Sequence, residues 1–307
     1  GRLPLPWALL AALLCALTLP LHAVAPVFTT IAPAGGQRGT EIEVTLRGDR
    51  LADAQEIFLY SPGITIEKMV EAAAKTLKAT LRIAPDCRLG EHALRVRTAS
   101  GISAMRIFYV GTLPSVDEKE PNNVGNKPQV LALNSTVQGT IGNEDIDHFI
   151  VDAKKDQRLS VEVEGARLGR TMFDPIVFIK DATGKTLATS DDTPLLGHDC
   201  FAALLVPAGG KYIIQLRDMA YAGAGHFYRL HVGTFPRPAV VFPLGGQRGE
   251  TLQVKFLGDP SGEFTQAITL PTQPLSSVAR FGALAEREGH APSPNWMRVI
   301  AAPNAEH

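Results

Sequence analysis

The pentapeptide Gly-Gly-Gln-Arg-Gly stands at residues 35–39 and again at residues 245–249. Pro33, Val44, Gly48 and Asp49 recur at the same offset, as Pro243, Val254, Gly258 and Asp259. A likeness that extends on both sides of a motif, with unrelated sequence between the copies, means that one structural unit is used twice. The chain is therefore a modular array. In each copy the motif sits just before an alternating strand, so it reads as a tight turn needing positive φ rather than an anion nest. Arg38 and Arg248 are then expected at the surface.

The 307 residues suit two or three domains at ~100 to 150 residues each. Net charge is −1, and Lys and Arg are scattered, so there is no basic stripe of the kind that phosphate binding needs and nucleic acid is excluded as a partner. With 28 Gly, 22 Pro and few aromatics, short strands and turns are favoured over long helices.

Arg2, the apolar run 7–19, Pro20 and the small-residue stretch His22-Ala23-Val24-Ala25 read as an export signal over residues 1–25. Cleavage is expected after Ala23, because cutting after Ala25 would leave Pro26 at the new terminus. The apolar run is shorter than the ~20 residues a helix needs to span a bilayer, so no membrane insertion is expected after cleavage. The chain is read as secreted or held at the cell surface. Cys87 and Cys200 then remain, in different units, as two isolated thiols with no disulfide framework and no CxxC metal site.

In residues 26–112, Ile42, Val44 and Leu46 alternate with Glu41, Glu43, Thr45 and Arg47, the period of a half-buried strand. Further strands are predicted over 56–60, 77–83, 92–97 and 105–110, with Pro62-Gly63, Leu89-Gly90 and Ser100-Gly101 as turns, and a helical turn over 69–75. Five short strands with Gly-bearing turns indicate an immunoglobulin-like sandwich. The opening 31–36, Gly39-Thr40 and strand 41–46, with the closing stretch 90–103, resemble the IPT/TIG family of Ig-like domains.

In residues 115–233, Leu159, Val161 and Val163 alternate with Ser160, Glu162 and Glu164, while Tyr212, Ile214 and Leu216 share one face. Asp181-Ala182-Thr183-Gly184 between apolar runs is a hairpin turn. The segments 118–123, 137–141, 145–149, 174–175, 181–184, 190–192, 207–212 and 225–230, in that order, resemble the bacterial pre-peptidase C-terminal domain, a jelly-roll-like β-sandwich of secreted proteins. Residues 235–307 repeat the opening of the first unit but stop before a matching final hairpin is evident, and the polar tail from Glu286 reads as a linker. The fold class is thus all-β: tandem β-sandwiches, with an Ig-like unit, a jelly-roll-like module and an incomplete second Ig-like unit. The likeness of 302–307 to the stretch before the middle unit predicts that the natural protein continues into another copy of that module.

Glu118, Glu120, Asn122 and Asn123 lie in a Pro-stiffened loop, and Asp145 and Asp147 are expected to point the same way at the mouth of a strand. Hard cations such as Ca²⁺ take six to eight oxygens, so convergence of the two segments would make a calcium site. The resemblance implies calcium-ligand roles for Glu118, Glu120, Asn122, Asn123 and Asp147. Asn123 departs from the Asp that the family commonly has there and supplies a neutral carbonyl. The alternative is a solvated acidic turn whose Asn side chains bond locally.

Other groups carry less. Asp191, Asp192, His198 and Asp199 crowd one loop, but their spacing matches no zinc pattern and reads as solvated. No HExxH pair, Gly-x-Ser-x-Gly elbow or phosphate loop is present. Tyr212, Tyr221, Phe227 and Tyr228 read as sandwich core before ligand platform. The expected function is non-catalytic, the sandwiches binding or spacing an extracellular protein or polysaccharide. The alternative, implied by the resemblance, is the accessory region of a secreted peptidase. A glycan-cleaving sandwich would need paired carboxylates in an aromatic groove, for which Asp191 and Asp199 are the nearest pair.

Overall fold

The computed structural model describes residues 24–125, 127–193, 196–221, 223, 225–272, 280–292 and 297–302. The predicted export signal lies outside these residues but for Val24 and Ala25. Among the described residues the chain is built of strands, with one short 3₁₀ turn at Ala166–Leu168. Tandem β-sandwiches are what the alternating patterns anticipate, and the structure has them.

The first sandwich pairs β1 (Val27–Ala32), β3 (Glu41–Asp49), β6 (Thr76–Ile83) and β5 (Ile64–Ala72) in one sheet, in that order. The facing sheet runs β2 (Gly35–Gln37), β9 (Arg106–Gly111), β7 (Gly90–Thr98) and β4 (Ala54–Leu59), with β8 (Gly101–Ile102) against β7. Val44, Leu46, Leu77, Ala79, Val96 and Phe108 are fully buried between them. The predicted helical turn at 69–75 is not formed. Met69 to Ala72 belong to β5, which pairs with β6 through two register shifts, so tertiary pairing overrides a run of good helix formers.

The middle sandwich stacks β10 (Ser115–Asp117), β12 (Ser135–Ile141), β19 (His226–Gly233), β14 (Arg158–Glu164) and β17 (Phe201–Leu205) on a second sheet. That sheet runs β11 (Gln129–Val130), β13 (Ile146–Ala153), β18 (Gly210–Asp218), β15 (Pro175–Asp181) and β16 (Thr186–Ser190). Its core includes Phe149, Leu159, Val161, Val163, Ile214 and Leu230.

The third unit reproduces the first with strands removed. β20 (Val240–Phe242), β22 (Thr251–Leu257) and β23 (Phe264–Thr269) form one sheet; β21 (Gly245–Gln247), β25 (Met297–Ala302) and β24 (Arg280–Ala283) form the other. Ile31 faces Leu46 in the first copy and Val241 faces Phe256 in the third, so the repeat keeps its register. β2 runs parallel to β9 just as β21 runs parallel to β25. Gly39 and Gly249 both take φ of 79°, which only glycine adopts without strain. The turn therefore sits at the end of the repeated pentapeptide, whose first three residues are strand. Arg38 and Arg248 are half-buried, not exposed as expected. The antiparallel pair β24–β25 supplies the closing hairpin that the sequence reading missed, and it places part of the supposed linker tail in a sheet. What the third copy lacks is a counterpart of β4 and β5, since only residues 258–263 separate β22 from β23.

The units are not strung out. The outer face of the β12–β19–β14 sheet is covered by its neighbours. Gln138 accepts from Ala34 N at 2.8 Å and donates to Gly35 O at 3.2 Å. Arg158 meets Asp259 and Arg237 meets Glu162. Leu284 packs on the first core, and the Thr112 hydroxyl donates to Pro292 O at 3.3 Å, so each unit touches both others. Alternation in β14 correctly gives a strand, yet Ser160, Glu162 and Glu164 are as buried as Leu159, Val161 and Val163. The polar side faces protein rather than water.

Buried charge at that face is balanced by hydrogen-bonded pairing. Glu162 lies between Arg237 Nε at 2.7 Å and Arg167 Nη2 at 3.0 Å. Glu164 accepts from Arg229 Nη1 at 2.7 Å. Burial alone would raise the carboxyl pKa of Glu164, but Arg229 and then His231 outweigh it and hold the group below its ordinary value.

Candidate metal centre

The loop between β10 and β11 passes from one sheet of the middle sandwich to the other and crosses its mouth. Glu118 N bonds to Gln138 O at 3.0 Å, continuing the parallel β10–β12 pairing by one residue and fixing where the Glu118 side chain starts. Pro121, after a cis peptide bond, turns the chain so that Asn122 is buried beneath. Asp147 enters from β13, whose inward side chains 147, 149 and 151 alternate with outward 146, 148 and 150.

Carboxylate oxygens of Glu118, Glu120 and Asp147 lie within 4.8 Å of one another. Two oxygens bound to one Ca²⁺ at ~2.3–2.6 Å can be no more than about 5 Å apart, so the spacing fits a shared cation. Asp147 is 0% exposed and Asn122 is 1% exposed, and both present a buried oxygen, Oδ1, that has no hydrogen-bond partner. An unpaired buried acceptor is costly, and a cation is the kind of partner it lacks. Among the described residues no Lys or Arg pairs with the three carboxylates.

The surrounding bonds aim these oxygens. Glu118 Oε2 accepts from Thr140 N at 2.9 Å, and Glu118 Oε1 from Asn122 Nδ2 at 3.3 Å. Glu120 Oε2 accepts from Asn122 N at 2.8 Å. The Tyr228 hydroxyl lies 2.6 Å from both Glu118 Oε1 and Asp147 Oδ2. Gly139 leaves room for this meeting, because a Cβ there would lie 2.7 Å from Glu118 Oε2 and against the Tyr228 hydroxyl. Burial, then the hydrogen bond and charge of Glu118, push the Asp147 carboxyl far above the usual carboxylate range. Glu120 is raised too, by burial first and then by its acidic neighbours, against a lowering bond from Asn122 N.

Asn123 and Asp145 form a pair beside the trio. Asn123 Nδ2 donates to Asp145 Oδ1, and Gly142 N donates to Asp145 Oδ2 at 2.9 Å. Asp145 precedes β13, so strand alternation does not set its direction as expected, and its carboxylate closes the turn 142–145 instead. Tyr228 is the site residue that sequence reasoning missed: it reads as core, which its ring is, but nothing in its position along the chain shows where its hydroxyl ends.

The crowded loop at 191–199 divides. Asp174, Asp192 and His198 sit together at the surface. Asp199 is fully buried, contrary to the solvated reading. It accepts from the amides of Gly165 and Ala166 at 2.9 and 2.7 Å and from Arg167 Nε, so it holds a 3₁₀ turn in place. It cannot partner Asp191 in acid–base work at the surface.

No protein-family model matches the chain, and no curated protein matches it. Among solved structures it is similar to the pre-peptidase C-terminal domain of a collagenase from Bacillus anthracis. The identity is 16%, over 38% of this chain and 99% of that one, with a TM-score of 0.30. It is also similar to PliG of Aeromonas hydrophila, a periplasmic inhibitor of g-type lysozyme, at 16% identity over 38% and 98% with a TM-score of 0.27. Bacteroides ovatus SGBP-B, solved with a mixed-linkage heptasaccharide, aligns at 10% identity over 68% and 52% with a TM-score of 0.24. Fold and site together define a tandem β-sandwich protein with an oxygen-rich loop at the mouth of its central module.

Proposed function

We propose that this chain is a non-catalytic extracellular module array, braced by Ca²⁺ at Glu118, Glu120, Asn122 and Asp147, that binds or spaces an extracellular polysaccharide or protein. The observation that carries the calcium assignment is the buried, partnerless oxygen pair, Asn122 Oδ1 and Asp147 Oδ1, beside two further carboxylates. Asn123 and Asp145 act as the support that holds the loop, not as ligands. The Ca²⁺ would tie the loop between β10 and β11 to β13 and so hold the two sheets of the middle sandwich together at one end, a structural contribution.

Export supports the extracellular placement, through the apolar leader read in the sequence. No helix among the described residues is long and apolar enough to cross a membrane. Carboxylates that lie deep in the joint, or are locked in turns as Asp199 is, suit binding better than hydrolysis. The second reading, accessory region of a secreted peptidase, draws on the motif order in 118–230 and is tested by reading the gene beyond residue 307.

Melting curves test the brace. Extracellular sites bind calcium at ~10⁻⁴ to 10⁻³ M, so a few millimolar adds ~1 to 2 kcal/mol. The melting temperature rises in calcium over chelator, and Asp147→Asn abolishes the rise. Identical curves in both conditions remove the calcium assignment. Pull-down on insoluble polysaccharides and matrix protein tests the binding role, and failure on all of them leaves spacing alone.

A further inference from the structure

Strand register defines a second surface on the middle sandwich, the outer face of the β11–β13–β18–β15–β16 sheet. Across it run Ile150, Ile213 and Lys180 in one row, His148, Gln215 and Phe178 in the next, and Ile146, Arg217 and Ile176 in the third. The opposite face of the sandwich is covered by the flanking units; on this one Ile150, Ile213, Phe178, Lys180 and Arg217 are only half-buried. A shallow groove of about 430 Å³ crosses it, lined by Gly125, His148, Lys180, Thr183, Ile213 and Gln215.

Two cations converge on one aromatic ring in this face. Lys180 Nζ is 5.5 Å and Arg217 Cζ 5.8 Å from the Phe178 centroid, and Arg217 also stacks 4.1 Å from the Tyr221 ring. Among the described residues neither has a carboxylate partner. Lys180 donates to Gln215 Oε1 at 2.5 Å and Arg217 to Asp218 O and Met219 O. On the first sandwich, by contrast, Arg50, Arg82 and Arg97 are each paired with an acid. The carboxylates nearest by register are engaged or marginal. Asp181 is bonded within its own turn, Asp152 faces Lys211 at the end of the sheet, and Glu144 joins only through its amide to Tyr221 O. The face is positive, with an apolar ring at its centre and neutral hydrogen-bonding groups around it.

We infer that this face binds an anionic polysaccharide, a uronate-bearing chain, with carboxylates against Lys180 and Arg217 and sugar hydroxyls against Gln215, His148 and Thr183. The inference rests on the polymer-binding reading above and gives it a face and a ligand class. An acidic peptide fits less well. β18 is paired on both sides, so its main chain offers no edge for strand addition and only side chains remain to read a ligand. Charge complementarity supplies the attraction, and Phe178 holds the two cations side by side on the face.

Titration calorimetry with oligogalacturonate in chelator, at low and at physiological salt, tests it. The wild type binds, more weakly at the higher salt. Lys180→Gln with Arg217→Gln binds at least about tenfold more weakly, a loss of about 1.4 kcal/mol, with an unchanged melting temperature. Lys180→Arg, which keeps the charge, retains binding. The inference is overturned if the wild type does not bind, if the double variant binds as well as wild type, or if oligoglutamate binds as tightly as oligogalacturonate. Retention of a neutral glucan or matrix protein without oligogalacturonate leaves polymer binding standing and removes this face from it.

Discussion

Arg158 and Asp259, 101 residues apart, meet with Nε at 3.1 Å and Nη2 at 2.5 Å from one carboxylate oxygen, and neither side chain is exposed. In the first copy of the repeat the matching Asp49 pairs with Arg50 at the surface, both side chains about half exposed. One repeated residue thus serves as a buried bolt in the third unit and as an ordinary surface ion pair in the first.

Their substitutions should differ accordingly. Asp259→Ala strands a buried guanidinium and is expected to cost ~3–5 kcal/mol in urea unfolding, whereas Asp49→Ala costs less than ~1 kcal/mol. Asp259→Asn falls between, because its one remaining oxygen can accept from either Ser261 N or Arg237 N, now at 2.9 and 3.0 Å on different carboxylate oxygens, but not from both. Equal effects at 49 and 259 would show that the bolt carries no special stability.

Tyr228→Phe removes the hydroxyl shared by Glu118 and Asp147. In chelator the loss is expected to be ~1–3 kcal/mol, the cost of leaving a buried acceptor unmade. In calcium the difference from wild type narrows, since the cation takes up the same oxygens. A loss that does not depend on calcium would separate Tyr228 from the metal centre.

Asp147 gives a pH dependence with a definite sign. Its carboxyl is protonated in the metal-free fold to well above the ordinary pKa near ~4, while the unfolded chain releases that proton above ~4. Metal-free stability attributable to this group therefore falls as pH rises from ~4 toward the raised folded value. The proposed calcium would displace the proton. Calorimetric titration at neutral pH in buffers of different ionisation enthalpy should show proton release on calcium binding, and Asp147→Asn should lose it.

At the covered face the sign is opposite. Glu162 and Glu164 are buried, yet Arg237 and Arg167 for one, Arg229 and His231 for the other, bring their carboxyls below the ordinary value. Their contribution is present above the unfolded pKa near ~4 and is lost as pH falls below it. Acid should open the joint to the third unit, which Glu162 and Arg237 span, before the sandwiches melt. Small-angle scattering would see the radius grow while far-ultraviolet dichroism stays near native.

Legibility in the sequence followed the range of the interaction. The repeat, the strands at 41–46, 77–83 and 159–163 and the turn glycines all rest on neighbours within a few positions, and spacing displays them. Convergence of Glu118 and Glu120 with Asp147 was legible only through motif resemblance, because the loop and the strand meet in space. The burial of Glu162 and Glu164 is not legible, because alternation reports which way a side chain points, not what lies opposite, and their partners are Arg237, Arg167 and Arg229. β25 was missed because six residues between polar segments carry too little pattern to outweigh the prolines around them. Residues 69–75 have helical composition, and only the partner strand β6 decides otherwise.

The two joints of the middle sandwich will respond unequally to mutation. Gln138 holds the first unit by the amide of Ala34 and the carbonyl of Gly35, main-chain atoms that do not depend on side-chain identity, although position 35 has no room for a Cβ, which would meet Tyr109 O at 2.2 Å. The third unit is held by matched side chains, Arg158 with Asp259 and Arg237 with Glu162, in which either member alone is a liability. Drift can therefore pass through position 34 alone, while position 35 stays glycine and the bolts to the third unit can only change in couples.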